Sequence, residues 1–189
     1  MKVRTTAFVA AVLACAPTLL AAPSAGAATD WVDYPFIRDS IPVYNRLGVT
    51  GTTTAAHRWE VGTGIDLVPA SADPYQGITI QWSSARSGTK VGGWVDVTKW
   101  SPTGPNGAWE IADCTVNINT YVGGAGRPYG KWLSAIVSHE VGHCLGHWDH
   151  ASHPHVMRSF ISKSETLAGQ AWTPTSTDLS RIRTGYTTN

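Results

Sequence analysis

The chain lacks the charge runs that are typical of proteins that bind nucleic acid or an anionic membrane. It contains 14 Lys and Arg against 13 Asp and Glu, and its formal net charge is +1. Loss of Lys2 and Arg4 with the N-terminal segment described below leaves 12 basic and 13 acidic residues, a net charge of −1. Because electrostatic binding of nucleic acid needs a basic stripe or patch, we expect no nucleic-acid partner.

Long apolar runs are scarce, and the one that exists lies at the N-terminus. Residues 5–22 carry no charge, follow Lys2 and Arg4, and precede the small residues Ala25-Gly26-Ala27. This order is typical of a secretory signal peptide. We predict cleavage after Ala27, so that residues 1–27 are a signal peptide and residues 28–189 form one secreted, extracellular domain without a membrane anchor. A transmembrane anchor is the alternative, but the run is short for a bilayer span.

Cysteines are also few. The chain has three, and Cys15 would leave with the signal peptide. Cys114 and Cys144 remain, and an even pair in an oxidising compartment usually forms a disulfide. We therefore predict a Cys114–Cys144 bridge, with two buried free thiols as the alternative.

Short apolar patterns alternate with helical ones along the mature chain. Strand-like alternation predicts strands at residues 40–46, 65–68, 78–82, 93–98 and 111–120. Helical spacing predicts helices at residues 52–61, from Lys131 to a stop at Gly146, and after a capping box at Thr175–Asp178. This interleaving predicts an α+β domain with α/β-like character. Nine tryptophans provide large apolar side chains for its core.

Two histidines and a glutamate carry the clearest chemical signal. His139 and His143 are four residues apart on a predicted helix, so both imidazoles project from one face. One helix can thus give two nitrogen ligands to Zn²⁺, which in catalytic sites takes a third protein ligand and keeps a position open for water. Glu140 is placed to act on that water as general base. The pattern predicts a zinc-dependent hydrolase of peptide bonds, with surface histidines on a structural helix as the alternative.

The motif continues beyond the second histidine. Gly146 lies three residues after His143, Asp149 lies three residues further on, and Met157 follows eight residues later. This long form, His-Glu-x-x-His-x-x-Gly-x-x-Asp and then Met, resembles the metzincin clan of zinc metallopeptidases. The similarity extends, as a matrixin-like pattern, over most of residues 40–186.

The resemblance implies a zincin-type catalytic domain. Its expected parts are a twisted, mostly parallel sheet with an antiparallel edge strand above the cleft, an active-site helix and a C-terminal helix. By the same resemblance residues 111–120 contain the edge strand, which would pair with an extended substrate. Met157 would form a turn beneath the zinc and act by packing, with a plain core methionine as the alternative.

The third zinc ligand departs from the commonest metzincin pattern, which has histidine at this point. Asp149 stands there, and in this the chain is similar to the small secreted bacterial peptidases called snapalysins. Asp149 also keeps the matrixin-like spacing to both His139 and Met157, whereas His150 needs a one-residue insertion. A carboxylate oxygen is an acceptable zinc ligand. We favour His139, His143 and Asp149 as ligands and keep His150 as the alternative to Asp149.

Other histidines crowd the same segment. His147, His153 and His155 could orient the ligands or bind an auxiliary metal, but we favour solvated loop histidines, and His57 is expected to be a surface or packing residue. The predicted protein is a secreted, monomeric zinc endopeptidase acting on a protein or peptide substrate. A catalytically silent zinc-binding module and a peptidase of narrow specificity are the alternatives.

Overall fold

The computed structural model describes residues 35–101, 110–149, 156, 157, 163 and 173–187 of the 189-residue chain. The predicted signal peptide, residues 1–27, lies outside the described residues, as do His150, His153 and His155. Within the described ranges, no helix is both long and apolar enough to cross a membrane.

Five strands and three α-helices make up the described part of the chain. The strands are β1 (Ser40–Asn45), β2 (Asp66–Pro69), β3 (Ile78–Ser83), β4 (Gly93–Ser101) and β5 (Glu110–Asn119). The helices are α1 (Thr52–His57), α2 (Gly130–Cys144) and α3 (Ser176–Thr187). Each predicted element is present within a few residues of its expected bounds, and the predicted α+β class with a mostly parallel sheet is confirmed.

The first predicted helix is shorter than expected. Only Thr52–His57 is α-helical, and the chain tightens into a 3₁₀ turn at Arg58–Glu60. Trp59 in this turn is fully buried, and its indole N–H donates to the carbonyl of Ser138 on α2 at 2.7 Å. The tighter turn thus places the indole beneath the middle of α2.

The strands form one sheet in the order β2-β1-β3-β5-β4. All neighbouring pairs are parallel except β4 and β5, which are antiparallel. The sheet therefore has an antiparallel edge strand, as predicted, but the strand assigned to that position is wrong. Residues 111–120 belong to β5, which lies between β3 and β4, and the edge strand is β4.

Burial explains why β4 and not β5 is at the edge. Most side chains of β5 are buried, as expected for a strand covered on both faces. In β4 half-buried residues such as Lys99 alternate with exposed ones such as Asp96. Exposed charges are a common feature of edge strands, because they discourage pairing with other chains.

Helix α2 packs across β4 and β5 and carries most of the candidate site. Its apolar stripe is Trp132, Leu133, Ile136, Val137, Val141 and Leu145, all buried. The Cys114–Cys144 disulfide joins β5 to the last residue of α2, with the two Cα atoms 5.7 Å apart. The predicted bridge is thus confirmed, and it fixes the end of the helix next to His143.

Helix α3 begins at the predicted capping box. The Asp178 carboxylate accepts hydrogen bonds from the backbone N–H of Thr175 at 2.7 Å and from its hydroxyl at 2.8 Å. The Thr175 hydroxyl lies 3.3 Å from the backbone N–H of Asp178, which donates to it. These reciprocal bonds satisfy backbone donors that would otherwise lack partners at a helix start.

Candidate metal centre

The end of α2 turns the chain back toward the two predicted histidine ligands. Gly146 has a φ of +87°, a left-handed conformation that favours glycine. The N–H of Gly146 donates to the carbonyl of His143, and the N–H of His147 donates to that of Gly142, both at 2.9 Å. This pair of bonds is a Schellman motif. It ends the helix where the sequence predicted and starts the segment that leads to Asp149.

Each histidine ligand is oriented by a backbone carbonyl. His139 Nδ1 lies 2.6 Å from the carbonyl oxygen of Val156, and His143 Nδ1 lies 2.8 Å from that of His147. A carbonyl can only accept, so each Nδ1 must carry a hydrogen and donate it. In the neutral imidazole the other nitrogen, Nε2, then keeps its lone pair free for a metal.

The three predicted ligand atoms meet at one place. The two Nε2 atoms of His139 and His143 are 3.1 Å apart. Asp149 Oδ1 lies 3.4 Å from the Nε2 of His139 and 3.2 Å from that of His143. Among the described residues, these three form the group of His, Cys, Asp and Glu side chains that could hold a metal ion.

The residues fit a zinc ion in spacing and in donor type. Nitrogen and oxygen ligands at about 2.0–2.2 Å from zinc, set at tetrahedral angles, lie about 3.3–3.5 Å from one another. The observed separations of 3.1–3.4 Å are close to that range. With both Nδ1 hydrogens bonded to carbonyls, two lone pairs and a carboxylate oxygen converge on one point, an arrangement that a bound cation stabilises.

Burial keeps the first histidine in its ligating form. Burial, with a smaller contribution from neighbouring His143, lowers the pKa of His139 to about 4. Its imidazole is therefore neutral at neutral pH, as a metal ligand must be. Burial alone would lower the pKa of His143 too, but the hydrogen bond to Asp149 and the charge of Glu140 raise it instead. The distance of 3.2 Å between His143 Nε2 and Asp149 Oδ1 agrees with this effect.

Glu140 lies in the same cleft as the ligands but is not one of the converging groups. Its side chain is buried, 5% exposed, and it packs against the start of β4. Burial raises the pKa of Glu140 to about 7, although the charges of His143 and Arg86 act in the opposite direction. A carboxylate with a pKa near the working pH is suited to accept and return a proton.

Two glycines let β4 come this close to α2. A Cβ atom on Gly93 would lie 2.8 Å from Glu140 Oε1 and 2.8 Å from Ile136 Cγ2. The three atoms nearest to a Cβ on Gly92 all belong to Ile136, at 3.0 Å and beyond. From the sequence, Gly93 was predicted only as the start of a strand. The adjacent glycines of that strand were the signal, because glycine within a strand marks a close backbone approach.

A cleft opens beside the converging atoms, with a cavity volume of about 840 Å³. The lining is mainly apolar and runs from β4 to α2, and it includes all three predicted ligands and Glu140. Trp148, next to Asp149, and Trp100 on β4 are two aromatic members of this lining that keep much of their surface exposed. The candidate site is therefore open on one side to a large molecule.

Met157 and Trp59 pack closely against α2 at Gly142. Met157 is fully buried in a turn, and a Cβ atom on Gly142 would overlap its sulfur and ring atom Cζ2 of Trp59. Met157 thus lies against the ligand-bearing helix, and its thioether contributes packing, as expected. Val156, one residue earlier, supplies the carbonyl that orients His139.

One histidine in the segment after α2 differs from expectation. The preference for a solvated His147 is wrong, because its side chain is only 4% exposed. It packs on Trp59, with ring centroids 5.9 Å apart, and lies 3.5 Å from the buried Asp178 carboxylate. His57 is half-buried and pairs with Glu60 at 2.8 Å, in agreement with a packing role.

Comparisons with known proteins leave the family open. No protein-family model matches the chain, and no curated protein sequence matches it. The metzincin resemblance therefore depends on residues 139–157 and on the geometry around them.

Proposed function

We propose that this protein is a zinc-dependent endopeptidase of the metzincin type. The observation that carries the proposal is the convergence of His139, His143 and Asp149, with ligand atoms 3.1–3.4 Å apart, in a cleft that also holds the buried Glu140. A purely structural zinc site is closed by four protein ligands. Three ligands beside an open cleft and a carboxylate are instead typical of a hydrolytic site.

Zinc held by three protein ligands supplies a Lewis acid and lowers the pKa of water to near neutrality. The protein's own residues supply the rest. The carbonyls of Val156 and His147 hold the two imidazoles in the tautomer that leaves Nε2 free. Glu140 accepts a proton from the attacking water and returns it to the leaving amine.

Within the described residues, β4 has one edge that no other strand pairs with, and this edge supports a peptide as substrate. This strand lies at the end of the sheet and lines the cleft with Gly93, Val95 and Val97. An extended peptide can add to such an edge through main-chain hydrogen bonds, largely independent of its sequence. The apolar cleft would then receive a side chain of that peptide.

Export is part of the same proposal. The buried Cys114–Cys144 disulfide supports it, because disulfides persist in oxidising compartments and are rare in the cytosol.

The test compares the zinc-loaded protein with its Glu140→Gln variant on a quenched-fluorescence peptide library. The wild type should cleave internal bonds, lose activity to a chelator and regain it with added zinc. Gln cannot accept the proton, so the variant should keep its zinc content and circular dichroism spectrum but cleave roughly 10²–10⁴-fold more slowly.

Two results would contradict the proposal. A variant that cleaves as fast as the wild type would remove Glu140 from the reaction. A wild type that binds zinc but cleaves no library member, nor denatured casein, would point to the silent zinc-binding module. Cleavage of a few related sequences only would identify a peptidase of narrow specificity.

A further inference from the structure

His147, which follows Gly146 of the Schellman motif, is an unusual residue at this position because it is polar and buried. This position commonly makes an apolar contact with the last turn of the helix. The structure has His147 there, 4% exposed, with its ring against Trp59. A leucine or valine would satisfy the packing, so burial of a polar ring calls for polar partners.

His147 has an oxygen atom opposite each ring nitrogen. Nδ1 lies 3.0 Å from the carbonyl oxygen of Trp148, and Nε2 lies 3.5 Å from Asp178 Oδ1. The Asp178 side chain is fully buried and is held on α3 by its two bonds from Thr175. Burial alone would raise the pKa of Asp178, but the neighbouring His147 imidazole and the hydrogen bonds from Thr175 hold it well below its usual value. The carboxylate is thus a fixed, charged anchor for the ring.

The same residue touches the metal centre through its backbone. The carbonyl of His147 accepts the hydrogen bond from His143 Nδ1 at 2.8 Å. The carbonyl of Trp148, which faces His147 Nδ1, belongs to the peptide that leads into Asp149. The imidazole of His147 therefore contacts both the backbone that leads into Asp149 and the Asp178 carboxylate of α3.

We propose that His147 and Asp178 are positioning residues for the metal centre. Their contact anchors the segment 147–149 to α3, so that the His147 carbonyl holds the ring of His143 and the chain presents Asp149 at the converging point. The inference depends on the proposed zinc site but not on peptidase activity. Groups that orient zinc ligands in this way typically change metal affinity by roughly 10–100-fold when they are removed.

The experiment measures zinc affinity by competition with a chromogenic chelator in four variants. His147→Leu keeps an apolar side chain at the packed position and removes both polar contacts. His147→Gln keeps an N–H that can reach Asp178, and Asp178→Asn removes the charge of the anchor. The control is His57→Leu at the end of α1, which removes a histidine–carboxylate pair with Glu60 of the 3₁₀ turn, outside the cleft lining.

His147→Leu should weaken zinc binding roughly 10–100-fold. His147→Gln should weaken it less than His147→Leu does. Asp178→Asn should also weaken zinc binding. His57→Leu should bind like the wild type. The visible spectrum of the cobalt-substituted protein should change in His147→Leu, because the ligands are less well held. Circular dichroism of each metal-free variant identifies those that fold.

A packing role alone would lower the melting temperature of metal-free His147→Leu without changing zinc affinity or the cobalt spectrum. That result would overturn the proposal. If His147→Leu does not fold, wild-type zinc affinity in a folded Asp178→Asn variant would overturn it instead. If the wild type itself bound no zinc, the metal centre would fail and the positioning role with it. If the wild type bound zinc without peptidase activity, only the proposed function would fail.

Discussion

The approach of β4 to Glu140 makes Gly93→Ala a sharp test of the catalytic geometry. The added methyl group would lie 2.8 Å from Glu140 Oε1, 2.9 Å from Glu140 Cγ and 2.8 Å from Ile136 Cγ2. Non-bonded carbon atoms are at their optimal separation at about 3.5–4.0 Å. Either the carboxylate or the strand must therefore shift by something on the order of 1 Å.

A shift of that size matters more for rate than for binding. Misplacing a reacting group by about 1 Å can cost roughly 10²-fold in rate, even when no catalytic group is lost. We expect Gly93→Ala to lower kcat by roughly 10²-fold. Zinc affinity should stay close to wild type, because Gly93 contacts none of the three predicted ligands among the atoms nearest to its Cβ position.

The matched control is the preceding residue. In Gly92→Ala the three atoms nearest to the methyl group would all belong to Ile136, whose end is flexible, at 3.0 Å and beyond. This variant should lose much less activity. The assay is steady-state cleavage of a quenched-fluorescence peptide, with zinc content measured on the same samples. Equal kcat in Gly93→Ala and the wild type, with both folded and zinc-loaded, would show that the placement of Glu140 against β4 does not govern the reaction.

Three further predictions concern the disulfide, the third ligand and acid stability. The Cys114–Cys144 bridge spans 30 residues, so replacing both cysteines with serine should lower the free energy of unfolding by about 3–4 kcal/mol in a chain-entropy treatment. Urea denaturation measures this loss, and an unchanged urea midpoint would refute the prediction. Asp149→Ala should lose zinc on dialysis against a chelator while His150→Ala retains it, and the reverse result would make the site a three-histidine one. Asp178 has a lowered pKa in the folded state, so its contribution to stability is present above the unfolded value of about 3.9 and is lost as pH falls below it. Urea midpoints of the metal-free protein between about pH 2 and 6 should therefore fall more steeply for the wild type than for Asp178→Asn, and parallel curves would exclude this role.

Helix α2, which carries two of the predicted ligands, was predictable because its signals are local. The spacing of His139 and His143 places them on one face of any α-helix, and Gly146 ends the helix through a conformation that glycine favours. The short distance from Gly146 to Asp149 likewise restricts where that carboxylate can lie. Local spacing therefore identified the three groups that the structure brings together.

Features that depend on distant parts of the chain were missed. Strand order in a sheet depends on long-range pairing, and the alternation within residues 111–120 did not separate an inner strand from an edge strand. Burial of His147 depends on Trp59 and on Asp178, which lie 88 residues before it and 31 residues after it. The role of Gly93 depends on a helix more than 35 residues later in the chain. No local pattern carries such information, because each contact exists only once the sheet and α2 have come together.

The irregular pairing of β4 with β5 has a consequence for solubility. The register shifts between Val97 and Lys99 and again between Lys99 and Trp100, so only the first half of β4, Gly93–Val97, is a regular strand. Bulges bend and twist a strand and interrupt further pairing along it. Five regular residues are enough to hold a short stretch of peptide. They offer little length for edge-to-edge association with a second copy, which Asp96 and Lys99 further oppose by their charge. The strand can thus stay open to a peptide while remaining a poor template for aggregation.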